Sequence, residues 1–144
     1  MYIINISNKI IIINKLLYIM CDKYDRIVTL KHVFSKINKE KDMIKFAGEL
    51  QYNDEPCGTL FGELIKMVNF KGQKEKRVRK FYFSLSMGEI FAEGLSDYDT
   101  TGDVETETII VGGTKEFEGI SGKIITNRKS ENKGICEHTL YINW

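Results

Sequence analysis

The residues best placed to do chemistry lie on the last apolar stretch, Ile135 to Trp144. If that stretch is extended, Cys136 and His138 share one face with Leu140 and Ile142. A histidine near a thiol in an apolar interior can act as a general acid or base, because imidazole titrates near neutrality and its surroundings tune it. The same pair can also be a small buried hydrophobe and a hydrogen-bonded core histidine. Two ligands alone do not make a metal site, and none is expected. Ser96 and Tyr82 could orient a ligand oxygen. The run from Asp97 to Asp103 copies the opening of a calcium loop, with a glycine at its sixth position. Its twelfth position is Thr108 where calcium needs a bidentate glutamate, and its flanks read as strands, so it is expected to be an acidic turn. Gly112-Gly113-Thr114 is followed by no helix, and Lys115 is out of phosphate-loop spacing, which removes nucleotide binding.

These groups need a scaffold, and 144 residues with 42% hydrophobic content suit a single domain with a real core. Twenty-one Lys and Arg against twenty Asp and Glu leave a net charge of +1, so no global field points to nucleic acid or an anionic membrane. Cys21, Cys57 and Cys136 are odd in number and widely spaced, which fits neither a disulfide framework nor a zinc knuckle. That favours a reducing, cytoplasmic compartment over secretion. Residues 1–24 begin with a stretch built almost wholly from Ile, Asn, Lys, Leu and Tyr, and read as a poorly specified extension. Its apolar run Ile10 to Ile13 is too short for a signal core or a membrane span.

Residues 25–144 alternate with period two. In Ile44 to Tyr52, Ile44, Phe46, Gly48, Leu50 and Tyr52 alternate with Lys45, Ala47, Glu49 and Gln51. Asn53-Asp54-Glu55-Pro56 supplies turn chemistry before a second extended run, Gly58 to Val68. The tract Lys71 to Lys80 carries six Lys or Arg and reads as a solvated hairpin tip. Phe81 to Met87 and Ile90 to Ser96 are joined by Gly88-Glu89. Glu105 to Val111, Gly119 to Asn127 and Ile135 to Trp144 follow and, with Ile27 to Ser35, make eight strands. Eight short strands without a convincing helix predict an all-β fold, an eight-stranded antiparallel up-and-down barrel whose closure removes exposed edges.

Charges mark the outside of each strand. Glu49, Glu63, Glu89, Glu93, Glu105, Glu107, Lys123 and Glu137 face solvent. Phe46, Leu50, Leu60, Leu64, Ile90, Ala92, Ser96, Ile110, Ile124, Leu140 and Ile142 then face inward. An eight-stranded barrel is filled by side chains or holds one small ligand. Phe46, Leu50, Leu60, Leu64, Tyr82, Ile90, Ser96 and Ile124 are the expected ligand contacts, and the outward Phe61, Ile65 and Met67 a possible subunit interface.

Two features resemble the second half of the allene oxide cyclase and dirigent superfamily. One is the aromatic strand from Phe81 running into Gly88-Glu89-Ile90 and ending at Gly94. The other is Val111-Gly112-Gly113-Thr114 followed by Phe117, Gly119 and Gly122, in which Phe117 could plug the barrel end and Gly122 allow close packing. The resemblance spans roughly residues 44–144. It implies a cofactor-free barrel, commonly a homotrimer, that folds a reactive oxylipin or orients radical coupling. The residues depart from the cyclase pattern. The family's cavity cysteine falls on Leu64, its water-positioning asparagine on Gly48 and a tyrosine on Ser96, and its first-strand glutamate has no counterpart among Leu30 to Val33. Four absent groups argue against that reaction, and function lives in sites grafted onto folds. The expected function is therefore binding of an apolar small molecule inside the barrel. The alternative is a cofactor-free cyclase or isomerase using His138 and Cys136 to steer a reactive intermediate.

Overall fold

The computed structural model describes residues 26–67, 75–97, 104–129 and 134–144. The expected N-terminal extension, most of the acidic turn and the front of the basic tract lie outside them. Eight strands follow in order: β1 Arg26–Lys39, β2 Met43–Tyr52, β3 Glu55–Lys66, β4 Lys76–Leu85, β5 Gly88–Asp97, β6 Val104–Gly113, β7 Ser121–Arg128 and β8 Ile135–Asn143. Each pairs antiparallel with the next, and β8 closes onto β1 through pairs such as Leu30 with His138. The fold is thus all-β, a closed eight-stranded antiparallel barrel.

Period-two patterning explains the closure. Val28, Leu30, Phe46, Leu50, Leu60, Phe81, Phe83, Ile90, Ala92, Ile110, Ile124, Leu140 and Ile142 all lie in one buried cluster, contributed by every strand. The β2–β3 hairpin turns at Asn53-Asp54, whose φ values of 50° and 63° are the left-handed pair that a two-residue turn needs and that Asn and Asp tolerate.

One end of the barrel is shut. Phe117, in the short 3₁₀ turn Lys115–Phe117, is fully buried and stacks on Trp144 with ring centroids 5.6 Å apart. The guanidinium of Arg26 lies 4.5 Å from the Trp144 ring centre. The Glu116 N–H donates to Met87 O, tying this plug to the β4–β5 turn. Gly122 lies at φ 138°, and a Cβ there would sit 1.9 Å from Tyr141 O, so glycine lets β7 approach β8.

Three sequence expectations are corrected. The β4–β5 reversal is at Ser86-Met87, ahead of Gly88-Glu89, because Met87 tucks its apolar side chain under the barrel and Gly88 already pairs with Leu85. The back of the basic tract is no loop tip. Lys76 to Lys80 open β4, and Arg77 and Arg79 share the inward parity of Phe81 and Phe83. Tyr82 has the opposite parity. It lies outside the barrel against Phe91, with ring centroids 5.9 Å apart, and cannot touch a ligand held within.

Candidate functional site

Polar groups concentrate inside the barrel around the ends of β1, β7 and β8. On β8, His138 is buried as its parity requires, but its partners are not Cys136. Thr126 Oγ1 lies 2.8 Å from His138 Nδ1, and His138 Nε2 lies 3.4 Å from Nδ1 of His32, on β1. The register explains this: Thr126 is the cross-strand partner of His138 on β7, and Leu30 is its partner on β1, two residues from His32. His32 and His138 are therefore joined through one shared proton. Whichever way the chain of bonds runs, Nε2 of His32 is its open end, buried and unpartnered among the described residues. Gly48 makes room for that nitrogen, since a Cβ on residue 48 would fall 2.3 Å from it.

Aromatic rings surround the pair. Phe34 is 4.2 Å from the His32 ring and Phe46 5.8 Å, while Phe81 and Phe83 stand 5.4 and 5.5 Å from His138, both edge-on. In this setting burial pushes the His32 pKa down to about 4. Burial, then the neighbouring His32 and Arg79, push His138 down to about 3. Both rings are neutral at neutral pH. Cys136 lies one step nearer the barrel end, where burial raises its thiol to about 11 against the opposing pull of Arg128 and Arg79. The thiol keeps its proton and forms no thiolate–imidazolium pair with His138.

Beyond Cys136 the interior turns cationic. The Arg79 Nε–H donates to Ser96 Oγ at 2.6 Å, with Arg77 next to it in β4 parity and Arg128 at the end of β7. Thr106 and Thr108 on β6 bring buried hydroxyls that have no partner among the described residues.

Of the expected site residues, Phe46, Leu50, Leu60, Ile90 and Ile124 are packed into the core. Leu64 is partly buried at the cationic end, where it pairs with Arg79, and Ser96 is inside as that arginine's partner. Sequence reasoning missed His32, although it alternates with Val28, Leu30 and Phe34 and falls within the very stretch where a counterpart for a family carboxylate was sought. It missed Arg77, Arg79 and Arg128 as well. The described residues contain no group of three or more His, Cys, Asp or Glu able to hold a metal ion. A groove of about 410 Å³ lined by Ile27, Lys31, Tyr52, Asp54 and Glu137 lies on the outer surface and takes in none of these groups.

No family model matches the chain, and no curated protein matches it in sequence. Solved structures do. A pyocyanin demethylase superposes with a TM-score of 0.69 at 19% identity, covering 81% of this chain and 99% of that one. A pterocarpan synthase dirigent protein gives 0.56 at 12% identity, covering 85% and 97%. At these identities the likeness is one of fold: this chain shares its barrel with a demethylase and with a dirigent protein. Among the described residues, no helix is long and apolar enough to cross a membrane.

Proposed function

We propose that this chain is a small-molecule-binding barrel of the allene oxide cyclase and dirigent type, holding an apolar ligand inside, on the cationic side of the His32–His138 pair. The observation that carries the reading is the polar end of an otherwise apolar interior. His32 Nε2 and the Thr108 hydroxyl are buried with no partner among the described residues, a cost of about 1–3 kcal/mol each that a bound polar atom offsets. Rings fill the middle of the barrel, so the ligand sits nearer Phe34, Leu64 and Ser96 than Leu60 or Ile90. Both structural neighbours carry names of small-molecule chemistry, one a demethylase of pyocyanin and the other a pterocarpan synthase.

A second reading, a cofactor-free isomerase or cyclase, is favoured by the histidine pair itself. Two neutral imidazoles sharing one proton leave His32 Nε2 as a donor in one tautomer and an acceptor in the other, which is the equipment for moving a proton on a bound substrate. His32 Nε2 also fills the space of a side chain at Gly48, the position at which the resemblance implies a water-positioning asparagine. In this reading His138 positions and tunes His32, and Cys136 has no nucleophilic role because its thiol stays protonated.

Native mass spectrometry of the full chain from its own cells tests the proposal. A co-purifying small molecule that is lost on unfolding is the expected result. A protein that is empty there, and that no panel of apolar aromatic or lipid compounds stabilises against heat, ends the binding reading. With a ligand in hand, His32→Gln, whose amide still hydrogen-bonds a ligand polar atom but does not relay a proton, separates the two functions: binding alone leaves affinity within about threefold, whereas catalysis loses turnover by about 10²-fold or more at similar affinity.

The same spectrum reads subunit number. We propose a homotrimer assembled through the outer face of β3 to β6, where Phe61, Leu95, Ile109 and Val111 are each more than half exposed on neighbouring strands. The Phe61–Tyr82–Phe91 row continues that apolar face. Trimeric wild type and monomeric Phe61→Glu/Leu95→Glu protein are expected. A wild type that stays monomeric at tens of micromolar refutes the interface.

A further inference from the structure

The interior at the end opposite the Phe117 plug has two unlike sides. On β1 to β3 it is apolar: Phe34 is half-buried, Ile37 stands exposed in register with Phe46, and Leu64 lies against the core. On β4 and β7 it is cationic, with Arg77, Arg79 and Arg128 on inward positions. Arg79 is largely buried, and its hydrogen bond to Ser96 is to a neutral hydroxyl. The charges bearing on it are those of Arg128 and Arg77, which repel it, and the nearby Cys136 is a thiol. Of the carboxylates at this end, Glu75 is shared by Lys66 at 3.2 Å and Arg77 at 3.4 Å, and Asp97 is taken by Lys76. Like charges held together out of water are costly unless an anion joins them.

Gly94, the cross-strand partner of Arg79, has no side chain, and a Cβ there would meet Thr108 Cγ2 at 2.9 Å. Arg79 and the unpartnered hydroxyl-bearing Thr108 thus flank one bare backbone position. Guanidinium forks match a carboxylate with paired N–H bonds, and a threonine hydroxyl adds a third donor.

We propose that this end of the barrel recognises an organic carboxylate, with Arg79 and Arg128 holding the carboxylate and Phe34, Ile37 and Leu64 covering the apolar body. The inference rests on the small-molecule reading above and names the chemical class of its ligand. It orients the ligand as well: the anionic group points to β4 and β7, and the apolar body lies across β1 to β3.

The test is isothermal titration of the full chain with 2-naphthoate and its neutral isostere 2-naphthamide. The acid is expected to bind at least tenfold tighter than the amide, equal to about 1.4 kcal/mol, and to lose that margin in added salt. Arg79→Gln and Arg128→Gln should each remove most of the margin and leave amide affinity within twofold. Should Arg79→Gln fail to fold by circular dichroism, Arg128→Gln, at the strand end, carries the comparison. Equal binding of acid and amide by the wild type overturns the carboxylate site and leaves the apolar pocket standing. Binding of neither overturns both.

Discussion

Lowering the pH from 7 to 4 is expected to remove about 6 kcal/mol of folding stability, most of it above pH 4.5, where few carboxylates titrate. The cause is the pair of buried imidazoles. In the unfolded chain each histidine takes up a proton near pH 6.5. In the fold, burial holds His32 at about 4, and burial with the neighbouring His32 and Arg79 holds His138 at about 3. Folded pKa values below unfolded ones mean that the stabilisation is whole above about pH 6.5 and is lost as pH falls towards the folded values. Each unit of gap is worth about 1.4 kcal/mol, so each ring withdraws roughly 3 kcal/mol by pH 4. Against a typical total of about 5–15 kcal/mol this is a large share.

The groups packed around the pair leave little relief. Arg79 from β4 opposes protonation, Cys136 from β8 is neutral, and Thr126 from β7 offers one hydroxyl. Urea denaturation at half-unit steps from pH 7.5 to 4.5 gives the slope of stability against pH, which should approach two protons near its steepest. His138→Gln should reduce it to about one. A flat profile across this window would mean that at least one histidine is already solvated or charged in the fold, and the neutral shared-proton pair would have to be abandoned.

What the sequence disclosed and what it hid follow from the same property of strands. Alternation sorts side chains by parity, so any element with a clean apolar face was readable: Ile44 to Tyr52 and Ile135 to Trp144 placed Phe46, Leu50, His138 and Leu140 inside, where they are. Parity fails when residue type is read before position. Arg77 and Arg79 continue the inward series Phe81, Phe83, Leu85 towards the N-terminus, yet a run of cations suggests solvent, and their two side chains define the charged end of the interior. Tyr82 was the reverse case, an attractive hydroxyl on an outward position.

His32 shows a different limit. Its parity was available, but its role depends on a partner 106 residues away, and the β8-to-β1 closure that brings the rings together is a long-range pairing that no local pattern encodes. The bulge in β1 between Phe34 and Lys36 was equally hidden, and it is what carries Ile37 back onto the side of Phe46.

Gly48→Ala is expected to cost about 3 kcal/mol or more, out of proportion to one added methyl group. The new Cβ would lie 2.3 Å from His32 Nε2, 2.6 Å from His32 Cδ2 and 2.3 Å from the carbonyl oxygen of Val33. Neither neighbour can yield easily. The carbonyl belongs to the β1–β2 ladder, with Val33 paired to Glu49 and Phe34 to Gly48, and the imidazole is wedged between Phe34 and the His138 ring at 5.5 Å. Overpacking of a core typically costs about 1–3 kcal/mol, and a clash with backbone as well as a ring puts this position at or past the upper end. His32→Ala removes the ring but not the carbonyl. Combining the two changes should therefore recover about 1–2 kcal/mol relative to the sum of the single effects, the coupling expected of residues in direct contact. Chemical denaturation of the four proteins at pH 7.5, where both histidines are neutral, measures that cycle. Strict additivity would show that His32 does not lie over Gly48, and Gly48→Ala with wild-type stability would move β1 away from β2 at this level. Either result would withdraw the open ring nitrogen from the interior and, with it, the reading of His32 as the group that meets the ligand.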